Sequence, residues 1–117
     1  MGKSIVLDKS KSFTVRIIKL HKYLTSDKRE FVMSKQILKS GTSIGANISE
    51  ALQAQSKLDF VSKLSIALKE ASETEYWLDV LHQTNYLTAI QYDSIKPDCI
   101  ELIKLLTSII NTTKNKL

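Results

Sequence analysis

"GTSIGANISEA", residues 41–51, places two glycines four residues apart inside a segment that otherwise reads as one long amphipathic helix. A glycine in a helix interior costs roughly 1 kcal/mol relative to alanine, so the pair needs a physical reason. On a heptad pattern Ser34, Ile37, Leu38, Gly41, Ile44, Gly45, Ile48, Ala51, Leu52 and Gln55 share one face, which turns both glycines inward. Two accounts fit: a neighbouring helix carrying a large residue such as Phe13 or Phe60 comes close to the backbone, or a ligand or phosphate does. GxxxG is best known from helices in membranes, but the surrounding Lys and Ser residues exclude a bilayer here. Close helix packing is therefore the role predicted for Gly41 and Gly45.

Working outward from this stretch, the periodicity predicts four helices. The first, over residues 8–25, has Phe13, Ile17, Leu20 and Leu24 on one apolar stripe and Lys9, Arg16, Lys19 and Lys22 on its opposite side. The second, over 28–54, opens where Asp27 and Glu30 form a capping pair, and lines up Lys28, Lys35, Lys39, Thr42 and Ala46 away from its apolar face. The third, over 57–84, starts at the Ser56 cap with Asp59 and carries the seam Phe60, Leu64, Ala67, Ala71, Thr74, Leu78 and Leu81. Asn85 is a left-handed terminator for it. The fourth, over 88–114, opens on the Thr88–Gln91 capping box and buries Ile95, Cys99, Leu102, Leu106, Ile109 and Thr113. Pro97 falls inside it, which predicts a kink or a break after a short helix over 88–95. Together these elements predict an all-α, antiparallel up-and-down four-helix bundle. One domain spans residues 1–117, with residues 1–7 and 114–117 frayed.

Composition agrees with this class. The 117 residues are 43% hydrophobic, enough for a single modest core, and three glycines and one proline are too few for a turn-dense sandwich or barrel. Cys99 is the only cysteine, so it has no partner for an intramolecular disulfide, and with only His21 and His82 beside it no zinc-ligand spacing arises. The opening "MGKSIVLDKSK" has an apolar run too short for a signal peptide, and Val6 stands where myristoylation would want Ser or Thr. No apolar run reaches the roughly 18 residues of a membrane span. The sequence thus predicts a soluble, cytoplasmic protein with no membrane partner.

Charge is unevenly distributed. Residues 1–39 hold ten Lys/Arg against Asp8, Asp27 and Glu30, a net +7, whereas residues 40–117 hold seven against nine acids, a net −2. A solvated lysine-rich face is one account of this asymmetry. A surface selected by a phosphate backbone, supplied by Arg16, Lys19, Lys22, Lys28, Lys35 and Lys39, is the other. The aromatic residues Tyr23, Phe31, Tyr86 and Tyr92 form no recognisable base-reading motif in the sequence.

No catalytic, metal or cofactor site is predicted. "MGKS" mimics the end of a phosphate-binding loop without its earlier glycine or preceding strand. His21 and His82 lack a nucleophile or paired carboxylate at matching helical spacing. The carboxylates Glu70, Glu73, Glu75 and Asp79 lack the Glu-x-x-His motifs of a di-metal bundle. On the third helix, about 120° around from the seam, Ile66, Trp77 and Val80 form a second apolar stripe with Glu70 and Glu73. That stripe either widens the core or meets another subunit, and a subunit contact is the reading adopted.

The run over residues 34–81, with Ser43-Ile44, Ala46-Asn47-Ile48, Glu50, Ser56, Asp59-Phe60, Ser65-Ile66-Ala67 and the Glu73 region, resembles the four-helix-bundle family encoded by 23S rRNA intervening sequences, also labelled S23 ribosomal proteins. The chain is also similar to the accessory proteins of diversity-generating retroelements. The resemblance implies a bacterial, non-enzymatic bundle that assembles into a homopentamer; the retroelement proteins are basic bundles that bind nucleic acid and a reverse transcriptase. Many members carry a proline between the positions of Ile44 and Ala46, and a glycine-basic turn after that of Glu50. This chain has Gly45 and "ALQAQSK" instead. The leading expectation is an oligomeric scaffold whose basic face binds RNA or DNA backbone without reading sequence. The alternative is an interaction module docking an acidic protein partner.

Overall fold

The computed structural model describes residues 4–117. Its helices are α1 (Ile5–Ser26), α2 (Met33–Ala51), α3 (Lys57–Gln83) and α4 (Ala89–Lys114). Consecutive helices run antiparallel and α4 closes back on α1, so each helix packs on two neighbours around a bundle 46 × 24 × 20 Å. The register is visible in the contacts: Gly41 faces Ile17, Ser40 meets Thr74, Ala71 meets Cys99, and Arg16 meets Asp98.

The core follows the helical periodicity. Phe13, Ile17 and Leu24 from α1 meet Ile37, Ile44 and Ile48 from α2, then Leu64, Leu78 and Leu81 from α3, and Leu102 and Leu106 from α4. Two seam positions shift by a residue, Val61 being buried where the pattern predicts Phe60 and Ile110 where it predicts Ile109, and Leu20 is only half-buried. Inside this apolar seam the Thr74 hydroxyl donates to the Glu70 carbonyl at 2.8 Å and is hydrogen-bonded with the Ser40 hydroxyl at 2.9 Å. Burying those hydroxyls between α2 and α3 is tolerable because each has a partner.

Helix ends separate what short-range rules decide from what they do not. Ser56 accepts from the Asp59 amide, and Thr88 and Gln91 form the reciprocal capping box, both as predicted. Asn85 adopts φ 69° after α3, the left-handed turn predicted for it. At the other end α1 starts earlier than predicted, because Ser4 accepts from the Leu7 amide and caps it. Residues 5–7 are therefore helical rather than frayed, and the fraying predicted for residues 1–3 lies outside the described residues. Helix α2 is shorter than predicted at both ends, which leaves Lys28 in the α1–α2 turn and Leu52 at the helix cap. The predicted break in α4 does not occur: the helix runs through Pro97. Pro97 has no amide to donate to the preceding turn, yet Ile95 and Cys99 remain buried on either side of it.

Both glycines lie where α2 crosses α1. A Cβ on Gly41 would stand 2.7 Å from Ile17 Cγ2 and 2.8 Å from Cγ1, so the predicted close approach is present but its partner is Ile17 rather than Phe13 or Phe60. A Cβ on Gly45 would stand 3.2 Å from both Ser10 Oγ and Thr14 Oγ1. Small polar residues, not a bulky one, oppose this second glycine. Gly41→Ala is therefore expected to destabilise the bundle more than Gly45→Ala in urea unfolding. Overpacking of about 1–3 kcal/mol exceeds the helix-propensity gain of about 1 kcal/mol at Gly41. Ile17→Ala should cost less in the Gly41→Ala background than in the wild type, a coupling that a double-mutant cycle would measure.

Candidate nucleic-acid interface

The register fixed by Gly41 and Gly45 places the cations. On α1 the residues facing α2 are Ser10, Thr14 and Ile17; helical spacing then puts Lys11, Val15, Ile18 and Lys22 along the outer edge of the α1–α2 pair. On α2 the corresponding outer positions are Lys35, Lys39 and Ala46, all exposed. These two rows share one side of the bundle, and Lys11 joins them without having been singled out by sequence.

The predicted six do not act together. Arg16 turns to α4, where its guanidinium contacts Asp98 at 2.7 Å, the Ser94 carbonyl at 2.9 Å and the Ser94 hydroxyl at 2.7 Å. Lys9, on the same edge, pairs with Glu101 at 3.1 Å. The α1 side read as one basic face is thus split: Lys9 and Arg16 bridge to α4, while Lys19 and Lys22 stay exposed. Lys19 also borders a cleft between α1 and α4 floored by Leu20, Tyr23 and Leu87. Lys28 sits in the turn with its ammonium 5.9 Å from the centre of the Tyr23 ring. Among the described residues Lys19, Lys22, Lys28, Lys35 and Lys39 make no ion pair within 4.0 Å, whereas Lys9, Arg16, Lys63 and Lys96 do.

The turn that carries Lys28 is held by Glu30. Its carboxylate accepts from the amides of Val32 at 3.1 Å, Met33 at 3.0 Å and Ser34 at 2.7 Å, which otherwise have no partner at the start of α2. Burial works to raise its pKa, but these amides outweigh burial and hold the carboxyl below its ordinary value. Glu30 thereby faces inward, and its charge answers the α2 N-terminus rather than the neighbouring lysines. The predicted Asp27–Glu30 capping pair is corrected accordingly: Glu30 is the cap, and the helix opens after it.

A second polar cluster joins α3 to α4. Lys96 donates to Asp79 at 2.6 Å and Tyr92 at 2.7 Å, Tyr92 donates to Asp79, and Glu75 is 3.4 Å from the ammonium. His82 stacks on Tyr92 with ring centres 4.2 Å apart. Burial opposes the charged forms, but the mutual hydrogen bonds prevail: Asp79 is held below the carboxylate range and Lys96 above the lysine range. A nucleophilic lysine needs the opposite shift, so this cluster acts as a clasp. Cys99 is buried beneath it, and burial, reinforced by Glu75, pushes its thiol up to about 12. Among the described residues no three His, Cys, Asp or Glu side chains converge as a metal site, and no helix is long and apolar enough to cross a membrane.

The second stripe of α3 is partly covered within the chain. Trp77 and Val80 are half-buried and Ile66 remains exposed. The Trp77 indole donates to Glu73 at 3.2 Å and meets Tyr76 edge-on at 5.0 Å. Tyr76, itself exposed, extends this patch beyond the three residues predicted.

A closed antiparallel bundle with one cationic flank and a clasped opposite pair of helices defines the class of protein. The chain belongs to the 23S rRNA-intervening sequence protein family, whose model matches residues 2–108. Among solved structures it is similar to a protein of unknown function from the S23 ribosomal protein family of Bacteroides thetaiotaomicron. The two share 63% sequence identity and superpose with a TM-score of 0.90, covering 92% of this chain and 96% of that one. No curated protein matches.

Glu30→Ala is expected to lower stability by about 1–2 kcal/mol at neutral pH, as loss of a helix cap does. The depressed folded-state pKa means that the wild-type contribution is full above the ordinary value of 4.5 and disappears as pH falls through the folded-state pKa. Urea midpoints for the wild type and Glu30→Ala should therefore converge in acid and separate toward neutrality.

Proposed function

We propose that this protein is a non-enzymatic, homopentameric helical scaffold whose α1–α2 flank binds the phosphate backbone of RNA or DNA without reading sequence. The observation that carries this reading is the sorting of cations. Lys9, Arg16, Lys63 and Lys96 are each paired with an acid, while Lys22, Lys28, Lys35 and Lys39, in the third of the chain that carries a net +7, make no ion pair among the described residues. Unpaired ammonium groups along one flank raise the local concentration of a polyanion and release its counterions on contact. Arg16, being tied to Asp98, is withdrawn from this field.

Support for assembly comes from the family resemblance and from Ile66, Tyr76 and Trp77, which form an aromatic-apolar patch on α3 beyond the core seam. Five copies would repeat the cationic flank, so individually weak contacts add through effective concentration. The likeness to retroelement accessory bundles supports the same combination of assembly and nucleic-acid binding.

Titrating a structured RNA at two salt concentrations tests the reading. Affinity should fall steeply with salt, and Lys22→Glu combined with Lys35→Glu and Lys39→Glu should remove most of it, because each neutralised phosphate contributes to the salt slope. Absence of binding at low salt would sink it. Salt-independent binding would do the same, and capture of an acidic protein in place of nucleic acid would transfer the flank to a protein partner. Trp77→Ala is expected to shift the assembly toward smaller species; an unchanged mass by light scattering would contradict the α3 contact.

A further inference from the structure

At one end of the bundle the α1–α2 turn and the α3–α4 turn lie together, and the first of them exposes apolar side chains that none of the described residues covers. Phe31 is 57% and Val32 72% exposed. The turn is not loose. The carbonyl of Tyr23 accepts from the amides of Asp27 at 2.9 Å and Lys28 at 3.3 Å, and that of Leu24 from the Glu30 amide at 2.9 Å. Arg29 reverses the chain at φ 56°. Glu30, drawn inward to three amides, is 8% exposed and is removed from the turn surface.

The result is a fixed tip that presents a bare aromatic ring among cations. The Arg29 guanidinium lies 5.5 Å from the centre of the Phe31 ring, and Lys28 is next to it in sequence. A large exposed aromatic on an ordered turn calls for a partner. A π face bordered by guanidinium and ammonium groups fits an unpaired nucleobase together with its flanking phosphates, since bases stack on aromatics and on arginine regardless of sequence. An anionic membrane would also attract a basic tip bearing Phe and Val, but it would meet the bundle end-on. The unpaired cations instead continue down the side, from Lys35 to Lys39, a further rise of about 6 Å on α2, with Lys22 beside them on α1. A strand can follow that row, whereas a plane touching the tip cannot.

We propose that the turn over residues 27–32 is a stacking platform for unpaired bases of single-stranded nucleic acid: Phe31 takes a base, Lys28 and Arg29 hold the adjoining phosphates, and the strand continues along Lys22, Lys35 and Lys39. The platform rests on the nucleic-acid reading of the flank and narrows its ligand from any polyanion to one with unpaired bases.

Fluorescence anisotropy with two probes, a single-stranded oligo(U) and a blunt RNA duplex of equal length, separates the two ideas. The wild type should prefer oligo(U). Phe31→Ala should weaken oligo(U) roughly tenfold, the loss expected for one base stack, and leave duplex binding unchanged. Arg29→Gly, which accepts the positive φ, should weaken oligo(U) as well. Circular dichroism melts of both variants establish that they are folded. If Phe31→Ala binds oligo(U) as the wild type does, or loses equally on both probes, the platform is overturned and the backbone-binding flank stands. If the wild type binds neither probe, both fail. Phe31-dependent binding to phosphatidylserine vesicles without preference for oligo(U) assigns the tip to a membrane and overturns the platform.

Discussion

Everything on the cationic side of this bundle depends on the contact between Gly41 of α2 and Ile17 of α1. With no Cβ at Gly41, the branched end of Ile17 fills the space a side chain would occupy, and the two helices come close at that level. One further turn along α2, Gly45 admits the hydroxyls of Ser10 and Thr14, which are already satisfied by carbonyls of their own helix. Helix periodicity then leaves no freedom in which residues form the outer edge: Lys11 and Lys22 on one helix, Lys35 and Lys39 on the other. The glycine pair thus fixes the surface as well as the core.

The acids of the chain complete the sorting. Asp98 and Glu101 hold Arg16 and Lys9 against α4, while Glu75 and Asp79 hold Lys96 between α3 and α4. The pairs on α1 are substantially exposed and individually worth little stability. Their larger effect is positional, since they withdraw two cations from the basic third of the chain and leave Lys11, Lys22, Lys35 and Lys39 along the α1–α2 flank. Glu30 does the same in reverse, withdrawing an acid from that flank by capping α2 from within.

Much of the architecture is legible because its causes are local. A serine or threonine followed three residues later by a partner acid or amide starts α3 and α4 whatever surrounds it, and the apolar spacing defines which faces are buried. Where local rules failed, a competing interaction reached further. Asp27 and Glu30 fit the spacing of a capping pair, but the Glu30 side chain serves the amides beyond it and Arg29 takes a left-handed conformation that no glycine announces. Pro97 carries the local signature of a break, yet the buried residues flanking it keep α4 continuous. The candidate site was less legible. Arg16 looks like its neighbours Lys19 and Lys22 in sequence, and its pairing with a residue 82 positions away follows only from how α4 returns to α1. Phe31 carried no signal either, since its exposure comes from the shape of the turn.

The sequence by itself determined that this is an all-α bundle, where its longer helices cap, that both glycines of residues 41–51 turn toward a neighbouring helix, and that the first third of the chain is basic. These follow from periodicity, capping chemistry and composition, which are properties of short windows. The tertiary structure alone decided which residue fills the glycine gap, which cations are neutralised, and which aromatic stands bare at the bundle end. Those are relations between distant segments, and they exist only once packing has set the helices in register.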